Sequence, residues 1–564
     1  RIDADVVLAE AQAWTNDATV DFTVSGAVAG SRTLAKRGAG RIVLAAHDST
    51  FSGALAVDAG ALQIRGTNAL GTTAGGTVVA DGAALELHGG GSAVRFAAEP
   101  VTLSGTGIAN GGALRFLQNG VDFRGPIALA ADARIQAAAD SPTASGNVDI
   151  GAHSLYVGVE GTELTLSGNL SGTRTDGSGA FVKDGASRLI LTGNNTNLTG
   201  TFTFQAGEIR IGTANAMGNT GLLVFGNNVV MKSSSVADFT VVRPVRFDGN
   251  AAFGEETTRT GTLVFEGDAD LNGAVRTITV SNPVTKWTEF KGTLSNGGLT
   301  KAGAGLLVLS GTNVYAGGTT VNAGTLQGTT DSLPGNIANN AALVFDQTAD
   351  GTYAGVLSGN GTVTKNGAGT LTLSGANLHA GLTIINEGLL SMVGSAADSA
   401  HLVGGGAHLM GAGAIGELIV DGTVHPGASS NAVGTLHVAD VFLSPGGALR
   451  FDVSQATGTP GTHWDLVDSS GGITVDATEL APFTVQVVGA PLGFDSSTPW
   501  SWKFLDAADG AVNGFAAYKF ATDTSDFTSD MGGGAFVVTE SGGDLFLEFQ
   551  IPGVAVLGTN LATI

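Results

Sequence analysis

Two short motifs in this chain approach known chemistry, and each stops short of it. Asp268-x-Asp270-x-Asn272-Gly273 opens like a calcium loop, with carboxylate and amide oxygens at alternate positions. The twelfth position of such a loop should supply a bidentate carboxylate, and here it is Thr279. Gly411-Ala-Gly413-Ala-Ile-Gly416 has the glycine spacing of a dinucleotide-binding turn. That turn must feed a helix whose N-terminus meets pyrophosphate, whereas Glu417 to Gly422 reads as a strand and a turn. Carboxylates able to serve a polysaccharide lyase or hydrolase as acid and base are scattered, as at Glu255-Glu256, Asp465 and Asp468. The histidines, His47, His379 and His425 among them, read as turn or strand-end residues. Cysteine is absent, which excludes thiolate metal sites, iron–sulfur clusters and thiol nucleophiles. We therefore assign no catalytic residue, no metal ligand and no cofactor from the sequence.

What recurs along the chain is a structural phrase: Leu-Thr-Lys-x-Gly-x-Gly, an alternating apolar strand, Ser-Gly-x-Asn, a second strand, Ala-Gly and a third strand. Its clearest copies span 299–327 and 363–391, and looser ones span 34–64 and 181–211. Lys36, Lys183, Lys301 and Lys365 precede Gly60, Gly207, Gly324 and Gly388 by 24, 24, 23 and 23 residues. Short strands punctuated by glycine at a fixed period predict a solenoid, in which each turn buries its apolar face on the next. At about 20–25 residues per turn the repeat region would make roughly twenty coils. Asn195, Asn313 and Asn377, with Asp48 at the equivalent place, are expected to stack at one corner and satisfy backbone groups there.

Composition agrees with a stack. The chain has 564 residues, of which 88 are glycine, and only 13% are charged while 43% are hydrophobic. A compact core rarely grows to this length, but a solenoid core grows with the number of turns. The net charge of −23 opposes binding to nucleic acid and favours solubility of a glycine-rich β protein. Absence of cysteine suits a chain exported unfolded. No run of 18 apolar residues exists, so no membrane-spanning helix is predicted. The sequence starts at Arg1 and not at Met, and is read as cleaved from an export signal.

Three regions follow. Residues 1–400 read as parallel β-helix repeats, 401–481 as the last coils, and 482–564 as a C-terminal β cap with an apolar tail. The segments TVQVV, WSWKF, AFVVT and LFLEF look like strands of an antiparallel capping unit, which an open solenoid end requires.

These phrases resemble the autotransporter-associated β-strand repeat, also called the passenger-associated transport repeat, of large bacterial secreted and surface proteins. The residues that carry the resemblance are Lys301-x-Gly303-x-Gly305, Ser310-Gly311-x-Asn313, Gly317 to Val321 and Ala323 to Leu326. His425-Pro426-Gly427 through Gly434-Thr435-Leu436 is similar to the segment such proteins carry near their last coils. The resemblance implies a right-handed parallel β-helix in a protein exported across bacterial membranes. It does not fix the export route.

The ends are the expected site of function. Ile2, Val6 and Leu8 lie in repeat-like sequence with no capping helix, and the uncharged stretch from Ile551 carries Val554, Val556, Leu557, Leu561 and Ile564. Such an apolar segment is a liability unless docked, and a head-to-tail contact that does not close builds a filament. The sequence thus points to a non-catalytic, self-associating subunit of a bacterial surface fibre, sheath or matrix. An alternative is a surface adhesin whose flank binds a host or a cell-surface polysaccharide; a third is a polysaccharide-active enzyme.

Overall fold

The computed structural model describes residues 1–551 and 553, other than 92, 175–178, 257–259 and 509. Two compact units are present, Arg1–Gly317 and Gly318–Ile564. Neither contains an α-helix among the described residues, where the helical turns are the 3₁₀ segments Ile108–Asn110 and Ala517–Lys519.

In the first unit short strands pair in parallel with the strand one coil further on. One inward column runs Ile42, Leu62, Leu85, Leu114, Ile135, Val157, Lys183, Phe204, Phe225 and Phe247 in strict register. Alternation explains the column, because residues two apart share a face and that face is closed by the coil's other strands. From Phe181 to Phe290 the core is aromatic, with neighbouring rings such as Phe265 and Phe290 at 4.8 Å. Arg243 is fully buried inside this stretch, over the Phe202 ring at 4.3 Å. It donates to the carbonyls of Met217, Gly200 and Gly221.

The second unit repeats the pattern with coils that start short, as at Leu326↔Leu343, and lengthen towards Ile473↔Val512. Leu326, Leu343, Val363, Thr383, His401, Leu418, Val441, Ile473 and Val512 form one parallel column. The expected antiparallel sheet is present at its far end: Asp544–Gln550 pairs antiparallel with both Trp500–Ala507 and Ala535–Ser541. One strand differs from expectation. Phe483–Gly489, which contains TVQVV, pairs in parallel with Ala448–Asp452 and Phe520–Phe527 and so continues the solenoid ladder. Its inward Phe483, Val485 and Val487 match the apolar column already in place, and that match decides its direction.

Candidate functional site

The repeat lysines face inward. Lys183 sits in register between Val157 and Phe204, and Lys365 between Phe345 and Ile385. Lys36 lies between Trp14 and Val57, and Lys301 beside Ile278. All four are buried. A lysine tolerates this because its methylene stem packs like a leucine while the ammonium reaches the coil's corner. There Lys36 Nζ donates to the carbonyls of Gly38, Gly40 and Ala59 at 2.6, 2.5 and 2.6 Å. Lys183 Nζ donates to Asp184, Gly185 and Ala206 at 3.1, 2.6 and 2.9 Å, and Lys365 Nζ to Asn366, Gly367 and Glu387 at 3.0, 2.5 and 3.0 Å. Lys301 Nζ donates to Ala302 and Gly303 at 3.0 and 2.7 Å. Burial lowers the pKa of all four, to about 8 at Lys183 and Lys301.

The asparagine corner forms as expected, with one correction. Asn195 Oδ1 accepts from the Leu170 amide at 2.7 Å and its Nδ2 donates to the Ala216 carbonyl at 2.7 Å, so one side chain joins three successive coils. Asn313 and Asn377 accept from the Leu294 and Leu357 amides at 2.7 and 3.1 Å. At the first copy Asp48 is exposed, and the buried Ser49 Oγ accepts from the Val28 amide at 3.1 Å instead. A neutral hydroxyl is cheaper to bury there than a carboxylate.

Among the described residues the carboxylates do not gather in a groove. Glu86 is buried between Arg41 at 2.7 Å and Arg115 at 3.0 Å. Burial alone would raise the pKa of Glu208, but hydrogen bonds from Arg210, Lys232 and Arg188 hold it near 2. Glu255 joins the same ladder through Arg210 and Lys232, at 2.9 and 3.3 Å. Asp465 is fully buried, accepts from the amides of Gly434 and Asp452, and is pushed up to about 8 by burial. Asp468 is half-buried and lies 2.8 Å from the exposed His437. In the calcium-like segment Asp268 Oδ1 accepts from the Thr293 amide at 2.9 Å. Asp270 Oδ1 accepts from the Asn272 amide and from Asn296 Nδ2, at 2.7 and 3.0 Å. These oxygens close turns. The glycine run at 411–416 leads into the strand Leu418–Val420, the wrong element for a pyrophosphate site.

The histidines divide. His47 is exposed and accepts from the Thr67 amide at 3.3 Å. His379 ends the strand Leu378–His379 but lies wholly in the core, 2.9 Å from Thr383 Oγ1. Thr383 Oγ1 is in turn 2.9 Å from Ser399 Oγ. His401 Nδ1 donates to the Ser399 carbonyl, since a carbonyl can only accept. Burial lowers the pKa of both rings, that of His401 to about 4, so they are neutral core residues at neutral pH. His425 is likewise pushed to about 4 by burial.

Of the expected self-association residues, Ile2 is half-buried and bridges to Val24, and Val6 lies in the strand Val6–Val7, which pairs with Val28–Ala29. Leu8 is buried within the chain. Ile551 is half-buried. Val554, Val556, Leu557, Leu561 and Ile564 lie outside the described residues.

Sequence reasoning missed what the lysines do. The signal was parity: Leu34 and Lys36, Phe181 and Lys183, Leu299 and Lys301, and Val363 and Lys365 are each two residues apart on one strand face. Nothing in the local sequence marks Arg243 as a core residue.

Parallel coils whose corners are closed by a buried lysine and a glycine define the class, a β-solenoid built from one repeated corner. Residues 34–64, 181–211, 299–327 and 363–392 match the passenger-associated-transport-repeat family. The β-solenoid thus carries passenger-associated transport repeats in both of its units. The chain is similar to the protein named adhesin BmaC autotransporter of Brucella suis biovar 1 (strain 1330), 31% identical over 246 residues, which are 38% of this chain and 7% of that protein. It is also similar to an extracellular serine protease of Serratia marcescens, 37% identical over 102 residues, 18% of this chain and 9% of the protease. The chain thus spans less than a tenth of either relative. No helix among the described residues is long and apolar enough to cross a membrane.

Proposed function

We propose that this chain is a non-catalytic passenger, secreted or held at the bacterial surface, that binds other surfaces through its flank as an adhesin does. The observation that carries this reading is how the polar residues divide. Buried lysines, asparagines and histidines close the coils, so the stack is held from within, while exposed side chains such as Arg95 and Arg124 stand on its flank without an ion pair among the described residues. The similarity to a protein named as an adhesin supports it. The similarity to an extracellular protease covers 18% of the chain, and among the carboxylates considered as acid and base Glu255 pairs with Arg210 and Asp468 with His437, while Asp465 accepts from two backbone amides. Beads coated with the chain test the reading. They should adhere to immobilised polysaccharide or to host-cell monolayers above an albumin control; adhesion to none of these surfaces would overturn it.

End-to-end association into a fibre is the second reading. It is favoured by the strands Val6–Val7 and Gln12–Thr15, each paired on one side only among the described residues, with Val28–Ala29 and Leu34–Arg37. Polymers that lengthen with concentration, seen by electron microscopy without denaturant, would support it over the flank.

A further inference from the structure

Most arginines of the first unit are neutralised. Arg41 and Arg115 meet Glu86, Arg134 meets Asp184, Arg174 meets Asp132, and Arg188 and Arg210 meet Glu208. Arg32, Arg65, Arg95, Arg124, Arg243 and Arg276 form no ion pair among the described residues, and of these Arg65 and Arg95 share a groove. Arg65 and Arg95 line an open depression with His47, Thr67, Gly90 and Ala93 on successive coils. Arg65 Nε donates to Gln63 Oε1 at 2.8 Å, a neutral partner. The acid in register beside Arg95 is Asp122, and it accepts from Ser145 Oγ at 2.6 Å. Among the described residues neither guanidinium forms an ion pair, and no carboxylate lines the depression. In a chain of net charge −23 the groove thus presents two guanidiniums that no carboxylate contacts directly.

We infer that this groove binds the anionic groups, carboxylate or sulfate, of an acidic polysaccharide. A guanidinium presents its donors as a planar fork that matches the paired oxygens of either anion. The wall between the two arginines is backbone and small side chains at Gly89, Gly90 and Ala93, which leaves the depression open between the two guanidiniums. A densely charged polyanion such as nucleic acid would be repelled by the acidic chain around the groove, whereas a glycan spaces its charges by whole sugar rings. The inference rests on the flank-binding reading and assigns it a place and a ligand class.

The test uses the full chain, with polygalacturonate, dextran sulfate and neutral dextran as probes in a surface-binding titration at two salt concentrations. At least one polyanion should bind, more weakly at the higher salt, and dextran should not; which polyanion binds identifies carboxylate or sulfate as the ligand. The double variant R65Q/R95Q should bind at least tenfold more weakly, and R124Q, an exposed arginine of the same unit, should stay within twofold. Both groove arginines are solvent-accessible, and an unchanged melting midpoint would establish that the variants fold. Equal binding by R65Q/R95Q and the parent, or no polyanion binding above dextran, would overturn the inference. Adhesion of R65Q/R95Q-coated beads as strong as the parent's would remove this site and leave flank binding standing, whereas failure of parent-coated beads on every surface would remove the reading itself.

Discussion

Lys183 and Gly207 meet at one corner of adjacent coils: a Cβ on Gly207 would lie 2.6 Å from Lys183 Nζ and 2.6 Å from the Gly185 carbonyl. Gly60 stands in the same relation to Lys36, at 2.4 Å. The lysine-to-glycine spacing therefore runs from a strand to the corner of the next coil, where at Gly60 and Gly207 the ammonium and backbone carbonyls of the previous coil together fill the space a side chain would need, and at Gly388 the carbonyls of Gly367 and Gly369 do so.

Lys183→Met keeps the stem and removes the ammonium, leaving the carbonyls of Asp184, Gly185 and Ala206 without that donor. The expected loss is about 3 kcal/mol, the scale of one to three unpaired buried acceptors. Because a solenoid need not unfold as one unit, the measurement is hydrogen exchange across 181–211, which should accelerate there and not in distant coils.

Gly207→Ala and Gly273→Ala separate close approach from backbone conformation. Both glycines have positive φ, 82° and 71°, but a Cβ on Gly273 meets nothing within 4 Å. Gly273→Ala should cost about 1–2 kcal/mol, the conformational term alone. Gly207→Ala should cost clearly more in the same denaturation series; equal costs would remove the steric role of the corner.

Asn195→Ala should cost about 2 kcal/mol by stranding the Leu170 amide, whereas Asp48→Ala at the exposed equivalent should stay within about 0.5 kcal/mol. Ser49→Ala should show the larger effect at that copy, read from thermal melts of the three variants.

Glu99 supplies a pH test. Burial raises its pKa to about 7, and its Oε2 has no hydrogen-bond partner. Between the unfolded value near 4.5 and about 7 the folded chain binds the extra proton, so stability is lost as pH rises through that window. Glu99→Gln removes this dependence. The variant should therefore gain on the parent as pH is raised from 4.5 to 8, as followed by denaturation midpoints.

Much of this was legible because strand alternation and glycine punctuation are local. The register of Leu326, Leu343 and Val363 follows from apolar parity alone. The asparagine corner was legible from position, and Asp48 failed only because the neighbouring Ser49 buries at lower cost. The lysines were visible as a spacing without a role, since a lysine in a strand ordinarily marks the solvent face. His379 stands at a strand end as the sequence suggests, but its burial was not legible, because the polar chain that admits it and His401 to the core, through Thr383 and Ser399, assembles from separate coils. The direction of Phe483–Gly489 was lost for the same reason, its partners lying 36 residues away at Thr484↔Ala448 and 37 at Thr484↔Ala521 and Val485↔Thr522, with no turn to announce them.

The central claim is that the flank, and not the ends, carries function. The most direct test is adhesion of beads bearing the chain with residues 551–564 deleted, compared with the parent on the same polysaccharide and cell surfaces. Adhesion unchanged by the deletion is the predicted result. Adhesion abolished in the truncated chain, with its melting midpoint intact, would place function at the end and contradict the account.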